Sequence, residues 1–177
     1  FRTMAAVFTI TSIANWVVYT WLALYLYERF QMSLTRAGFS ATFYIQAASF
    51  AGILIGGWLA DAWTRKSARG RLLTQVLGLA AAAPCLFLIG YTGTQAVLIA
   101  ALIVYGLGRG FYDCNTMPVL CQIARPDLRS TGYGIFNCAA CIAGGVSAAA
   151  AGFLKNAIGL HACFQASAIL VALSALM

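Results

Sequence analysis

Six stretches of about twenty mostly apolar residues follow one another along this chain, separated by short polar connections. A helix needs about that length to cross the roughly 30 Å hydrocarbon core of a bilayer, because each residue adds about 1.5 Å. The predicted helices span residues 4–27, 37–60, 71–91, 95–122, 132–154 and 160–177. The predicted fold is therefore all-α, a polytopic membrane protein whose six transmembrane helices lie in a lipid bilayer.

The composition agrees with this prediction. Hydrophobic residues make up 62% of the chain and charged residues 8%, whereas a soluble domain carries about 25% charged residues. The net charge of +7 raises the question of nucleic acid, but the Lys and Arg residues cluster at the ends of apolar runs. Since no basic stripe is interleaved with aromatic residues, no nucleic-acid partner is expected.

The basic residues also indicate how the helices are oriented. If the amino terminus is cytoplasmic, seven basic residues lie on the cytoplasmic side, three lie outside, and Arg109 lies within a span. The cytoplasmic seven are Arg2, Arg65, Lys66, Arg69, Arg71, Arg125 and Arg129, and the outer three are Arg29, Arg36 and Lys155. Because cytoplasmic loops are enriched in Lys and Arg, we expect a multi-pass protein of the cell (inner) membrane with both ends in the cytoplasm.

Glycines recur inside several predicted helices at spacings typical of close helix contacts. In lipid, small residues let two backbones approach and gain dispersion contacts that larger side chains would block. The glycines concerned are Gly52 and Gly56 on the second helix, Gly106, Gly108 and Gly110 on the fourth, and Gly144, Gly145 and Gly152 on the fifth. They predict a bundle of tightly packed helices.

Arg109 and Asp113 lie near the middle of the fourth predicted helix, and they are its most informative residues. An ionisable group at this depth costs several kcal/mol unless it is paired or hydrated. The i, i+4 spacing places both side chains on one helix face, where they can form an ion pair. One interpretation is that Arg109 holds a substrate carboxylate, with Asp113 as its partner or as a proton acceptor. The alternative is a structural pair that locks this helix to its neighbours.

Polar and aromatic residues elsewhere suit a ligand-binding face. Ser12, Asn15, Trp16, Tyr19 and Thr20 form a stripe on the first helix. The predicted substrate-binding residues are Arg109, Asp113, Asn15, Tyr19, Tyr112, Tyr44 and Gln46. Interhelical hydrogen bonding and interfacial anchoring are the alternative roles for the stripe, and Asn115 is expected to pack against another helix.

The loop after the second helix reads Gly57-Trp-Leu-Ala-Asp61-Ala-Trp-Thr-Arg65-Lys66. This resembles the G-x-x-x-D-R-x-G-R-K motif of the major facilitator superfamily. Gly57, Asp61, Arg65 and Lys66 match the motif, while Ala62 and Thr64 stand where it has Arg and Gly. The resemblance implies a gating loop in which Asp61 pairs with a neighbouring helix end.

Four further segments extend the resemblance over nearly the whole chain. Residues 106–118 with 125–129 and 132–137 are similar to the tenth and eleventh helices of bacterial facilitators, and residues 15–26 to the seventh. The most similar groups are the anion:cation symporters, many of which handle sugar acids, and the spinster-like proteins. Residues 1–177 would then be the carboxyl-terminal six-helix half (helices seven to twelve) of a longer transporter. Its partner would be the missing amino-terminal half, and its first and fourth helices would line the cavity.

The function implied by this resemblance is proton-coupled symport of an organic anion, such as a sugar acid, by alternating access. A spinster-like transporter of lipids or neutral solutes and a non-transporting structural membrane subunit are the alternatives. The sequence contains one histidine and four acidic residues, and it lacks the HExxH, G-x-S-x-G and nucleotide-loop motifs. We therefore expect neither enzyme activity nor a cofactor or metal. The partners expected are the bilayer, a small-molecule solute and a coupling proton.

Overall fold

The computed structural model describes residues 1–177, and every regular element in it is helical. The first four helices are α1 (Arg2–Phe30), α2 (Leu34–Thr64), α3 (Gly70–Tyr91) and α4 (Gln95–Ile123). A single 3₁₀ turn, Pro126–Leu128, leads to the last helical stretch, Arg129–Leu176, whose helical geometry is interrupted at Gly159. We call its two parts α5 (residues 129–158) and α6 (Leu160–Leu176). The predicted all-α architecture with six helices is confirmed.

The break between α5 and α6 depends on one backbone conformation. Gly159 has φ 81° and ψ 158°, a region that residues with a side chain rarely enter. The interruption turns the chain back so that α6 returns across the bundle. The five longer helical stretches, up to Ile158, are long and apolar enough to cross a membrane, and α6 is shorter.

Most helices extend beyond the apolar windows predicted from the sequence. α1 has 29 residues and α2 has 31, which exceeds the roughly 20 that a bilayer core requires. The apolar pattern stops where charged residues begin, but the helical backbone hydrogen bonds continue through those residues. Helix α2, for example, begins at Leu34, before the apolar run that starts at residue 37. Its N-cap is Ser33, whose side chain accepts a hydrogen bond from the Arg36 backbone N–H at 3.4 Å.

Helix α4 packs between α2 and α3, and glycines make both contacts close. A Cβ added to Gly52 would meet the Leu107 carbonyl, and one added to Gly110 would lie 2.8 Å from the Ile53 nitrogen. On the α3 side, Gly108 faces Gly78 backbone to backbone. The predicted close contacts are therefore present along α4.

The fifth helix follows the prediction only in part. Trp16 of α1 lies against Gly144 and Trp21 against Gly152, so these two glycines admit aromatic side chains. Gly145 has no neighbour within 4 Å of the position of a Cβ, and its predicted helix contact is wrong. Residues one apart on a helix point about 100° apart, so the adjacent Gly144 takes the contact instead.

Large apolar side chains cover the outside of the bundle. Trp58 is 72% exposed and Phe153 is 83% exposed, which in water would be an unstable arrangement and in lipid is the expected one. The chain is thus a multi-pass membrane protein. One group of polar side chains joins α1, α2 and α4 by hydrogen bonds near the middle of these helices.

Candidate functional site

An open cavity of about 470 Å³ lies between α1 and α4. Its lining combines hydroxyl, amide, aromatic and charged side chains: Phe8, Thr11, Ser12, Asn15, Trp16, Tyr19, Arg109, Tyr112 and Asp113. The α1 residues recur every three or four positions, which places them on one face of that helix. We call this the midspan cavity.

Arg109 is the cationic centre of the midspan cavity and lies at the midpoint of α4, about 20 Å from either end. Asp113 Oδ2 lies 3.1 Å from Arg109 Nε, so the predicted ion pair is present. Nε nevertheless has no hydrogen-bond partner of acceptable geometry. The two side chains are 21% and 33% exposed. The pair is therefore a charge contact whose Nε–H is buried without a well-aligned acceptor, while both side chains line the cavity.

Two further side chains hold the guanidinium in place. Arg109 Cζ lies 4.9 Å from the centre of the Tyr19 ring, within the range of a cation–π interaction. Gln46 Oε1 accepts hydrogen bonds from the Tyr19 hydroxyl at 3.2 Å and from Arg109 Nη1 at 3.4 Å. Gln46 belongs to α2, so this one amide oxygen connects α1, α2 and α4 beside the charge.

A second polar contact joins α1 to α4 behind the cavity. The Tyr105 hydroxyl donates a hydrogen bond of 2.7 Å to Asn15 Oδ1. Tyr105 is buried and Asn15 half-buried, so the bond orients the Asn15 amide while its other atoms remain available. Tyr112 is also buried but contributes to the cavity lining.

Six of the seven predicted binding residues lie in or beside the midspan cavity, and Tyr44 does not. Tyr44 lines a separate cavity of about 660 Å³ with Arg36 and Gln95, near the connection between α1 and α2. Tyr44 and Gln46 are two positions apart, about 200° around the helix, so only one of them can face Arg109. Asn115 is completely buried, in agreement with its predicted packing role.

Phe8 and Thr11 line the cavity although the sequence did not single them out. They lie four positions before Ser12 and Asn15, so they continue the α1 stripe by one turn. Extending the polar stripe toward the amino terminus would have found them. No group of three or more His, Cys, Asp or Glu side chains is placed to hold a metal ion.

The residues predicted to form a gating loop lie at the end of α2 and in the turn that follows it. Asp61 Oδ1 accepts a hydrogen bond of 2.7 Å from Arg71 Nη2, which ties the end of α2 to the start of α3. Arg65 and Lys66 are exposed in the connecting turn. Gly57 has open space where a Cβ would lie, so neighbouring atoms do not require a glycine there.

A family model described as the Major Facilitator Superfamily matches residues 4–177 of this chain. The D-galactonate transporter of Escherichia coli O6:H1 is 27% identical over 147 residues, covering 81% of this chain and 34% of that protein.

Two solved structures have a similar fold. The crystal structure of the peptide transporter POT in complex with sulfate matches with a TM-score of 0.83 at 18% identity. A POT family transporter in complex with a thioalcohol conjugated peptide matches with a TM-score of 0.78 at 16% identity. Each match covers 99% of this chain and 36% of the other. The chain spans about a third of the length of the proteins it matches.

Proposed function

The chain belongs to the Major Facilitator Superfamily, and from that premise we propose that it forms part of a secondary active transporter for an organic anion. Residues 1–177 would be the carboxyl-terminal six-helix half, and the amino-terminal half would supply the opposite wall of the midspan cavity. Both ends would lie in the cytoplasm, and the membrane would be the cell (inner) membrane. A sugar acid is the proposed substrate, a class to which the D-galactonate transporter's own substrate belongs.

The observation that carries this proposal is the position of Arg109. A charged side chain at the centre of a membrane helix costs about 2.5–3.5 kcal/mol on insertion scales. A purely structural pair would be enclosed on all sides, yet the Arg109 side chain is 21% exposed and lines an open cavity. Arginine binds carboxylates through two parallel hydrogen bonds. The hydroxyl and amide groups of Ser12 and Asn15 are suited to the hydroxyls of a sugar acid.

Charge balance supports coupling to a proton. With Asp113 ionised, the Arg109–Asp113 pair has no net charge. A substrate carboxylate that enters the cavity is then repelled by the Asp113 carboxylate, which already lies 3.1 Å from Arg109 Nε. With Asp113 protonated, the cavity carries one positive charge and suits one substrate anion. A proton and an organic anion would therefore occupy the site together, which is the requirement for symport.

The substrate class can be tested by competition for binding. Full-length protein in detergent would be titrated with D-galactonate and with galactitol, which has the same six-carbon backbone but a CH2OH group in place of the carboxylate. We expect galactonate to raise the melting temperature and galactitol to have little effect, because only the acid engages Arg109. Equal shifts by both, or a shift by galactitol alone, would contradict an anion site.

Replacing Asp113 by Asn tests the proton site. The substitution mimics the protonated carboxyl, so we expect anion binding to be retained and its dependence on pH to disappear. Concentrative uptake driven by a proton gradient should be lost, while exchange of internal for external substrate continues. Binding would be compared at pH 5.5 and 7.5 in both forms. An unchanged pH dependence in Asp113→Asn would remove Asp113 from the coupling step.

The loop at the end of α2 is proposed to act in gating through the Asp61–Arg71 pair. Because the Asp61 side chain is 63% exposed, losing the pair should change the free energy of unfolding by less than about 1 kcal/mol. We expect Asp61→Asn to lower the transport rate several-fold at unchanged substrate affinity. The exchanged pair Asp61→Arg with Arg71→Asp should recover part of the rate. Affinity and rate falling together would argue against a gating role.

A further inference from the structure

The four acidic residues of the chain are all used in ion pairs. Glu28 pairs with Lys155, Asp61 with Arg71, Asp113 with Arg109 and Asp127 with Arg125. Three basic residues in the turn between α2 and α3 therefore have no acidic partner: Arg65, Lys66 and Arg69. They concentrate three positive charges at the edge of the membrane.

The turn that carries these charges is ordered by its own backbone. The Ser67 N–H donates to the Trp63 carbonyl at 2.9 Å, and the Gly70 N–H donates to the Ser67 carbonyl at 3.0 Å. Gly70 is buried so closely that an added Cβ would lie 2.6 Å from the Trp63 carbonyl carbon. The basic residues thus lie on a turn with a fixed backbone, so binding a ligand there would cost little conformational entropy of the backbone.

Directly beside this turn lies an open groove of about 530 Å³. Lys66, Ser67 and Trp63 border the end of the groove next to the turn, and Leu73, Val76, Leu77 and Ala80 line the rest. The apolar residues recur every three or four positions, so they form one face of α3. From Gly70 to Ala80 the helix rises about 15 Å, which equals one leaflet of a hydrocarbon core about 30 Å thick.

We infer that this groove binds one anionic phospholipid, with its phosphate at Lys66 and Ser67 and an acyl chain along Leu73 to Ala80. Arg69, exposed in the same turn, would add its positive charge beside the phosphate. A free phosphate or another soluble anion would bind the basic residues but would leave the apolar residues of the groove uncovered. A zwitterionic lipid would cover the apolar residues but would not neutralise the positive charge of the turn. Only an anionic lipid matches both the basic turn and the apolar groove. The inference does not depend on the proposed substrate.

The test is native mass spectrometry of the full-length protein in detergent, titrated with phosphatidylglycerol or phosphatidylcholine. We expect one phosphatidylglycerol to be retained in preference to phosphatidylcholine. The double variant Lys66→Gln/Arg69→Gln should bind phosphatidylglycerol about tenfold more weakly or worse, since each cation near a membrane surface contributes measurably to anionic lipid binding. The matched control is Arg29→Gln/Arg36→Gln, which removes two unpaired cations from the opposite end of the bundle and should leave binding unchanged.

A second variant tests the apolar part without altering charge. Ala80→Phe places a ring in the groove, and we expect it to weaken phosphatidylglycerol binding while free phosphate binding does not change. Equal retention of the two lipids by the wild type would overturn the inference. So would a double variant that binds phosphatidylglycerol as tightly as the wild type. Loss in the charge variant with full binding by Ala80→Phe would also overturn it, because the cations would then attract lipid without the groove.

Discussion

Replacing Arg109 by alanine in the full-length protein is expected to lower organic-acid uptake by about 100-fold or more. Truncating one partner of a buried, hydrogen-bonded charge pair costs about 2–5 kcal/mol, and the bound carboxylate would form such a pair with Arg109. Each 1.4 kcal/mol is a factor of ten in affinity. The change removes the one cation that the midspan cavity offers to a carboxylate and leaves Asp113 without its counter-charge. Uptake of labelled D-galactonate into proteoliposomes measures the effect.

Two companion variants separate recognition from folding. Arg109→Lys keeps the charge but loses the planar pair of donors, so we expect most of the uptake to be lost here as well. Arg125→Ala removes a basic residue from an exposed ion pair and should transport normally. Full uptake by a well-folded Arg109→Ala protein would contradict the proposed anion site and would indicate that the Arg109–Asp113 pair has only a structural role.

The second large effect is expected at the contact between α2 and α4. Gly52→Ala should lower the free energy of unfolding by about 1–3 kcal/mol, the usual cost of overpacking a tight contact. The added methyl group would meet the Leu107 carbonyl and lie 3.0 Å from the Leu107 Cα. These are backbone atoms, which can yield only if the helices separate. Denaturant unfolding of the purified protein in mixed micelles measures the change.

Gly57→Ala is the matched control on the same helix. It has no atom within 4 Å of the added group, and alanine favours a helix over glycine by about 1 kcal/mol. We therefore expect Gly57→Ala to leave stability unchanged or raise it, opposite in sign to Gly52→Ala. Equal effects at the two positions would show that the loss comes from the helix itself and not from the contact with α4.

The bilayer explains why so much of the fold could be predicted from the sequence. Its thickness sets the length of each apolar run, so six helices and their order follow from hydrophobicity alone. The helix ends do not, because helical hydrogen bonding continues into charged segments such as the end of α1 at Phe30. Helix pairing was also only partly predictable: Gly144 and Gly145 look alike in sequence, and only Gly144 meets a neighbour.

In the candidate site, contacts within one helix could be predicted from the sequence, whereas contacts between helices could not. The Arg109–Asp113 pair lies within one helix, so its spacing was sufficient to predict it. The role of Gln46 as a bridge between Tyr19 and Arg109 depends on the rotation of α2 against two other helices. Sequence spacing could show that Tyr44 and Gln46 face different directions, but not which of them faces Arg109.

The proposal that this protein moves an organic anion with a proton is tested most directly by gradient-driven uptake. Full-length protein in proteoliposomes would be supplied with labelled D-galactonate, with an inward proton gradient and without one. We predict accumulation above the external concentration only with the gradient. A folded protein that takes up no organic acid under either condition, or that accumulates it equally without the gradient, would contradict the account.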